Sequence, residues 1–261
     1  MIILNKRRCL CFIAFFCLLN SYFIFAQDSD TTKSLAHFST VTTITNNGIS
    51  LLPTFSLGKP AAIFELSMGS KRWSFDPQFR FSMEGRPWSF IFWGRYKLVN
   101  DKKFRLTVGA HPAISFKKEY VTTLNDEPRQ IMNSYRFLAS EFAPSLTLTK
   151  NITVGMYFLY AHGLDVGSTA NTHFVTLNSS FSNLKLFSET YLKVQPQFYY
   201  LKMDSKDGYY FSSTVTLTNK KVPLAISSVI NKVIDTDIKG KDFIWNVSLI
   251  YSFNKNYLPV K

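Results

Sequence analysis

Along most of this chain apolar and polar residues alternate with a period of two, the signature of strands that bury one apolar face. In 243–253 the odd positions carry Phe243, Trp245, Val247, Leu249, Tyr251 and Phe253, with Asn246, Ser248 and Ser252 between them. The stretch 209–218 sets Tyr209, Phe211, Val215 and Leu217 against Ser212, Thr214, Thr216 and Thr218. In 73–83, Trp73, Phe75, Phe79, Phe81 and Met83 oppose Ser74, Asp76, Gln78, Arg80 and Ser82. The same reading predicts strands at 49–57, 61–68, 73–83, 88–99, 103–117, 135–149, 152–162, 172–182, 185–201, 208–218, 222–233 and 242–253. That is about twelve, within a range of about ten to fourteen. Thr40 to Thr45 reads either as an extra strand or as a lead-in. No helical period of useful length competes.

Connection lengths add a direction. Tight links are expected at 69–72, 100–102, 150–151, 183–184 and 219–221, and longer ones at 118–134, 163–171, 202–207 and 234–241. Short links at 58–60 and 84–87 break the alternation. Tight turns at one end and longer loops at the other match a barrel whose turns face the periplasm.

A soluble sandwich would also alternate, but it would hide the aromatic face and spread Lys and Glu over the other. Here the non-aromatic face is mostly Ser, Thr, Asn, Gln and Gly, which suits a wet or hydrogen-bonded lumen. The aromatic face then meets lipid, and closing the sheet satisfies every backbone amide there. The fold expected is all-β, a closed antiparallel up-and-down transmembrane barrel. Trp73, Trp88, Tyr96, Tyr160, Tyr200, Tyr209, Trp245, Tyr251 and Phe253 are expected at the membrane interfaces, where amphipathic rings gather.

Lys6, Arg7 and Arg8, the apolar run 9–25 and Ala26-Gln27 have the three-part design of a signal peptide spanning 1–26. An uncleaved anchor is the alternative. The expected organisation continues with a lead-in at 27–47, the barrel at 48–253 and a periplasmic tail at 254–261. Cys9, Cys11 and Cys17 all lie in the leader, so the mature chain has no disulfide partner to offer. After Gln27 no apolar run approaches the ~18–20 residues of a spanning helix, which excludes a polytopic helical protein. With 16% aromatic and only 18% charged residues the chain is not disordered. The formal charge of +13 sits largely in turns and loops, such as Lys71, Arg72, Lys102, Lys103, Lys220 and Lys221. That is solvated turn chemistry and no argument for nucleic acid; the outward subset could meet lipopolysaccharide phosphates.

Over roughly 48–253 the chain resembles the small outer-membrane β-barrel proteins of Gram-negative bacteria. The segment Val247 to Phe253 is similar to the carboxy-terminal signal read by the barrel-assembly machinery, although residues follow Phe253 here. Gln27 after the expected cut is common in such proteins from Bacteroidota. The block from Gly58-Lys59-Pro60-Ala61-Ala62 to Arg86-Pro87-Trp88-Ser89-Phe90 resembles a motif of uncharacterised barrels. The resemblance implies a fold, an outer-membrane location and lipid contacts, and no reaction.

With the aromatic parity outward, the lumen is expected to hold Glu65, Asp76, Gln78, Arg80, Arg95, Lys97, Arg105, Glu141, Glu189 and Lys193, with His111 among them. Hairpin arithmetic sets Glu65 opposite Asp76, and Asp76 opposite Arg95. Two carboxylates flanking an arginine read better as a network that stiffens the barrel than as an acid–base pair, since the arginine neutralises both. Trp93, Phe187, Tyr191, Tyr199 and Tyr210 are expected to point inward and narrow the bore. The one His-x-Ser, His37-Phe38-Ser39, is a weak candidate for the His–Ser pairs of outer-membrane lipid hydrolases. No catalytic set, metal site or cofactor motif stands out. The expected role is structural or that of a passive, porin-like small-solute channel, rather than an enzyme. The alternatives are a lipid hydrolase of the lipid A deacylase or phospholipase type, and a docking protein using loop 118–134.

Overall fold

The computed structural model describes residues 36–50, 55–122 and 128–257; the expected signal peptide at 1–26 and the end of the expected tail lie outside them. Twelve antiparallel strands close into one barrel. They are β1 (Ala36–Thr45), β2 (Ala61–Gly69), β3 (Trp73–Ser82), β4 (Pro87–Asn100), β5 (Phe104–Thr122) and β6 (Pro128–Thr147). β7 (Ile152–Gly163), β8 (Asn171–Phe187), β9 (Thr190–Met203), β10 (Lys206–Asn219), β11 (Leu224–Thr236) and β12 (Phe243–Tyr257) complete it. Each strand pairs with the next in sequence, and β1 closes on β12 from Ala36↔Tyr257 to Thr45↔Ser248.

The count of twelve agrees with the periodicity, but the first strand does not lie at 49–57. It is Ala36–Thr45, inside the expected lead-in, and β12 runs on to Tyr257, into the expected tail. His37, Ser39, Val41 and Thr43 form the less apolar face of β1, so its alternation is faint. Residues 46–60 become the longest connection instead, which removes one exception to the alternation of loop lengths.

Three other links differ. The longer link expected at 202–207 is a two-residue turn, because β9 and β10 pair up to Met203↔Lys206 and Asp204 takes a positive φ of 54°, so the alternation of loop lengths fails there. The turn expected at 183–184 falls at 188–189, because Asn183 takes up a positive φ of 56° within an irregular stretch of β8 and the strand continues to Phe187. Asn tolerates that conformation better than most residues. The expected loop 118–134 is largely paired strand, from Lys118↔Met132 to Thr122↔Pro128. Its neighbours stop earlier, at Ser89↔Ser115 and Phe137↔Gly163, so the ends of β5 and β6 rise above the barrel as a two-stranded ribbon.

Outside, the alternating positions form an apolar belt. Phe64, Phe75, Phe142, Leu177, Phe198, Ile226, Val247 and Leu249 are exposed on consecutive parts of the wall. Trp73 and Tyr96 mark one rim, and Tyr160, Tyr209 and Trp245 the other, all exposed. Tyr200 is half-buried against Tyr209, ring centroids 5.1 Å apart, while Tyr251 and Phe253 are exposed near the turn end of β12. A belt of this size in water would be an aggregation surface; in lipid it is the solvent-facing side.

Trp88 breaks the pattern. It is 4% exposed and points inward, not to the interface. The register shifts between Arg80↔Ser89 and Phe81↔Pro87, leaving Trp88 as the unpaired extra residue of a β-bulge. A bulge re-aims a side chain, and here Trp88 and Ser89 both turn into the barrel.

Candidate functional site: the lumen

The interior has two unlike halves. Along β8–β11, Phe174, Tyr199, Leu201 and Tyr210 pack with Leu159 of the adjacent β7, with Trp93 of β4 and with Ile238 from the β11–β12 connection. Tyr199 and Tyr210 stack with centroids 4.8 Å apart and planes within 8°. Asn231 donates to the Tyr199 hydroxyl at 2.5 Å. Beside them small polar groups are spent on the backbone: Ser212 donates to the Ile230 carbonyl at 2.9 Å and Ser228 to that of Asn246 at 2.7 Å. Asn246 in turn accepts from the Val229 amide at 2.8 Å. The centre of this half is filled and satisfied without charge, and a pocket of about 420 Å³ opens beside it at the loop end, between Tyr210, Val233 and Ile238.

Along β3–β7 the interior is charged. Arg95 donates from Nη1 to Asp76 Oδ2 at 2.8 Å and from Nε to Glu141 Oε1 at 2.6 Å. Tyr157 donates to the other oxygen of Glu141 at 2.8 Å, and Ser67 and Ser74 donate to the two oxygens of Asp76 at 2.5 and 2.9 Å. Arg95 thus spans four strands with both carboxylates fully engaged. Gly109 makes this possible. It pairs with Arg95 on one side and Glu141 on the other, and a Cβ there would come within 2.8 Å of Glu141 Oε1 and 3.1 Å of Arg95 Cγ. A glycine inside a strand often marks such a close approach.

The expected pairing of Glu65 with Asp76 is not found. Glu65 pairs with Gln78 because the β2–β3 hairpin closes on Gly69↔Ser74, and Asp76 pairs with Trp93 because the β3–β4 register below the bulge runs from Arg80↔Ser89. Asp76 reaches Arg95 diagonally, and Glu141 is the second carboxylate. Glu65 acts on Arg80 only through space. Arg80 donates to Gln78 Oε1 at 2.8 Å and lies over the Trp88 ring at 5.3 Å. Lys97 and Arg105 line a separate space nearer the turns, and Lys193 is half-buried on β9. Glu189 sits in the β8–β9 turn rather than on an inward strand position, and Phe187 is 66% exposed; the displaced turn accounts for both. Tyr191 is half-buried beneath Lys220, whose Nζ is 4.4 Å from the ring centroid.

His37 is hydrogen-bonded to Ser67 at 3.1 Å, not to Ser39, and Ser67 donates its single proton to Asp76. In a nucleophilic pair the hydroxyl donates to the imidazole, the reverse of what this geometry requires. No group of three metal-binding side chains gathers among the described residues. Ser67, Ser74, Gly109 and Tyr157 were missed by the sequence reading. Parity marks Tyr157 as inward, but nothing local says that it meets Glu141.

Beyond the barrel rim, the ribbon has its own contacts. Tyr135 and Asn133 both donate to Glu119, holding its carboxyl below the usual range. Arg136 grips Asp165 of the β7–β8 loop through its guanidinium at 2.5 Å and its backbone amide at 2.6 Å. That lowers the Asp165 carboxyl's pKa.

A closed even-stranded barrel, an unbroken apolar belt with aromatic rims, and short turns at one end define a transmembrane barrel of outer-membrane type, and the outer membrane is its location. No family model matches the sequence, and no curated protein matches it. Among solved structures the chain is similar to "KdgM porin in complex with disordered oligogalacturonate", at 10% identity and a TM-score of 0.48, over 83% of this chain and 99% of that one. It is similar to the NanC porin at 10% identity and a TM-score of 0.46, over 85% and 100%. The COG4313 outer membrane channel from Pseudomonas putida F1 also gives 10% and 0.46, over 85% and 96%; such likenesses bear on barrel shape alone.

Proposed function

We propose that the protein is a narrow, passive channel for small solutes, with its path along the β3–β7 wall and its turns in the periplasm. The carrying observation is a series of three spaces that share lining residues. A pocket of about 430 Å³ at the loop end touches Phe55 and Ser115. The same two residues line an internal cavity of about 220 Å³. Tyr157 lines that cavity and also a vestibule of about 500 Å³ that holds Lys97, Arg105 and Asn178. We place two constrictions between them, at the residues the spaces share or abut. Phe55 stands at the upper one, packed edge-on to Phe137 at 5.5 Å, with its carbonyl accepting from Trp88 Nε1 at 2.8 Å. The Asp76–Arg95–Glu141–Tyr157 bridge stands at the lower one, and we assign it the task of stiffening the wall it crosses. Basic groups at the loop end would meet lipopolysaccharide phosphates, and the assembly machinery would read the β12 end; a Bacteroidota-type origin, read from Gln27, belongs to the same proposal.

Single-channel recording of the refolded barrel tests this. Small discrete steps are expected, and Phe55→Ala should raise them at least about twofold by removing the upper ring. A barrel that stays silent in both forms would reduce the role to a structural one. The ribbon favours a second reading, docking of a surface partner, because 118–122 and 128–134 have no strand partner besides each other. Trimming the ribbon should then abolish partner capture and leave conductance unchanged.

A further inference from the structure

We propose that the internal cavity is a binding site for a small organic monocarboxylate with a flat apolar body, of the benzoate class. This rests on the channel reading for the route by which such a ligand arrives. The chemistry of the site comes from three observations on its lining.

The first is charge. Arg80 and Arg95 both line the cavity, but Arg95 is consumed by two carboxylates. Arg80 makes no ion pair among the described residues; its polar partners are Gln78 Oε1 at 2.8 Å and, at 3.5 Å, Ser50 Oγ. Its Nε is buried and unpartnered. A guanidinium is always charged, and Glu65 acts on this one only through space without forming an ion pair, so the site is complementary to an anion. His111, 8% exposed and 3.9 Å from the Trp93 ring centroid, also has an unpartnered ring nitrogen, Nδ1. Such orphaned groups call for an explanation, and a ligand's oxygens supply one.

The second is the rest of the lining. Phe55, Ile91, Trp93, Phe137 and Leu159 are apolar, and they line the same space as the single free cation. An inorganic anion would leave them facing a hydrated ion, whereas an apolar body would bury against them. The third is size. A cavity of roughly 150 Å³ accepts benzene, and this one, at about 220 Å³, has room for a ring and a carboxylate. One free cation fixes one negative charge.

The test is tryptophan fluorescence of the refolded full barrel carrying Trp73→Phe and Trp245→Phe. These remove the two outward tryptophans and leave Trp88 and Trp93 beside the site. Benzoate should change the emission saturably, with half-saturation at roughly millimolar or below. Benzamide, with the same shape and no charge, should bind at least about tenfold more weakly, as should benzoate to the Arg80→Gln form. Inorganic phosphate, charged but without a ring, should give no saturable change. A flat benzoate titration, equal binding of benzoate and benzamide, or phosphate binding as well as benzoate would each overturn the assignment, and none of these needs the Arg80 variant to fold. Bilayer recording on the same preparation separates the two readings. Saturable benzoate binding without conductance would sink the channel and keep the site, and conductance without binding would do the opposite.

Discussion

The two halves of the lumen solve the same problem by different means. Both are inward faces of one antiparallel wall, lined by polar residues that must be satisfied away from bulk water. Along β8–β12 the polar groups are short and neutral, so they bond the adjacent backbone and leave the centre to Phe174, Tyr199 and Tyr210. Along β3–β7 they are long and charged; they bond one another across the strands and leave spaces between. The lesson is that side-chain reach, more than strand count, decides whether a barrel of this size is filled or hollow. The neutral half resembles a protein core, whereas the charged half is a scaffold around space.

The largest effect expected is in the filled half. Tyr199→Ala removes a buried ring from its stack and strands the Asn231 amide, and should cost about 3–5 kcal/mol. The check is the temperature at which the barrel loses its folded mobility on gels, which should fall markedly while conductance stays unchanged. If stability barely moves, the two halves are not different in kind.

Arg95→Ala probes the hollow half. It leaves Asp76 and Glu141 without their common partner, a change that costs ~3–5 kcal/mol in a dry interior and correspondingly less, roughly 1–3 kcal/mol, beside a wet vestibule. Conductance should rise at the same time, since the lower constriction is this bridge. Arg95→Gln combined with Glu141→Gln should be milder than the separate changes added together, because the two groups touch. Strict additivity would show that the bridge is not a unit.

Gly109→Ala asks how tightly that bridge is fitted. The added methyl meets the Glu141 carboxylate and the Arg95 stem, and the overpacking should cost about 1–3 kcal/mol. Gly94→Ala, where a Cβ meets only a carbonyl at 3.8 Å, serves as the control and should be near neutral. Equal effects at the two glycines would remove the close approach from the account.

The smallest effect lies at the rim of the hollow half, in the contact of Arg136 with Asp165. The Asp165 pKa is held below that of an ordinary aspartate, so its hold on the loop is complete above the unperturbed pKa, about 3.9, and fades as pH falls through the lowered value. Proteolysis within 164–170 should be constant from neutral pH down to about pH 4 and rise only below it. A rise already near pH 6 would point to a different anchor.

How much of this was written in the sequence follows from the range of the signal. Period two is local, and it marked eleven of the twelve strands at about their observed places. β1 shows only as a possible extra strand at Thr40 to Thr45, because residues such as His37, Ser39 and Thr43 blur its two faces, while 49–57 happens to alternate. The charged lumen residues were named from parity, but their partners depend on register, and register hangs on single residues in turns. One position's difference at 70–72 moved Glu65 away from Asp76. Glu141 lies two hairpins from Arg95, across Gly109, so it comes into the row only when both registers are right, and the loop expected at 118–134 set the second one wrongly.

The bulge at Trp88 has a consequence for the length of β4. In a barrel strand the insertion or loss of one residue turns everything beyond it inside out, exchanging lipid-facing and lumen-facing side chains. At Trp88 that exchange is confined to the short run between the bulge and the β3–β4 turn, since the residues from Ser89 onward keep a common register with β3. This is therefore a point where the strand tolerates a change in length. Deleting Trp88 would restore simple alternation at the mouth and leave the rows below it undisturbed, whereas deleting a residue at Gly94 would place the Arg95 row in lipid.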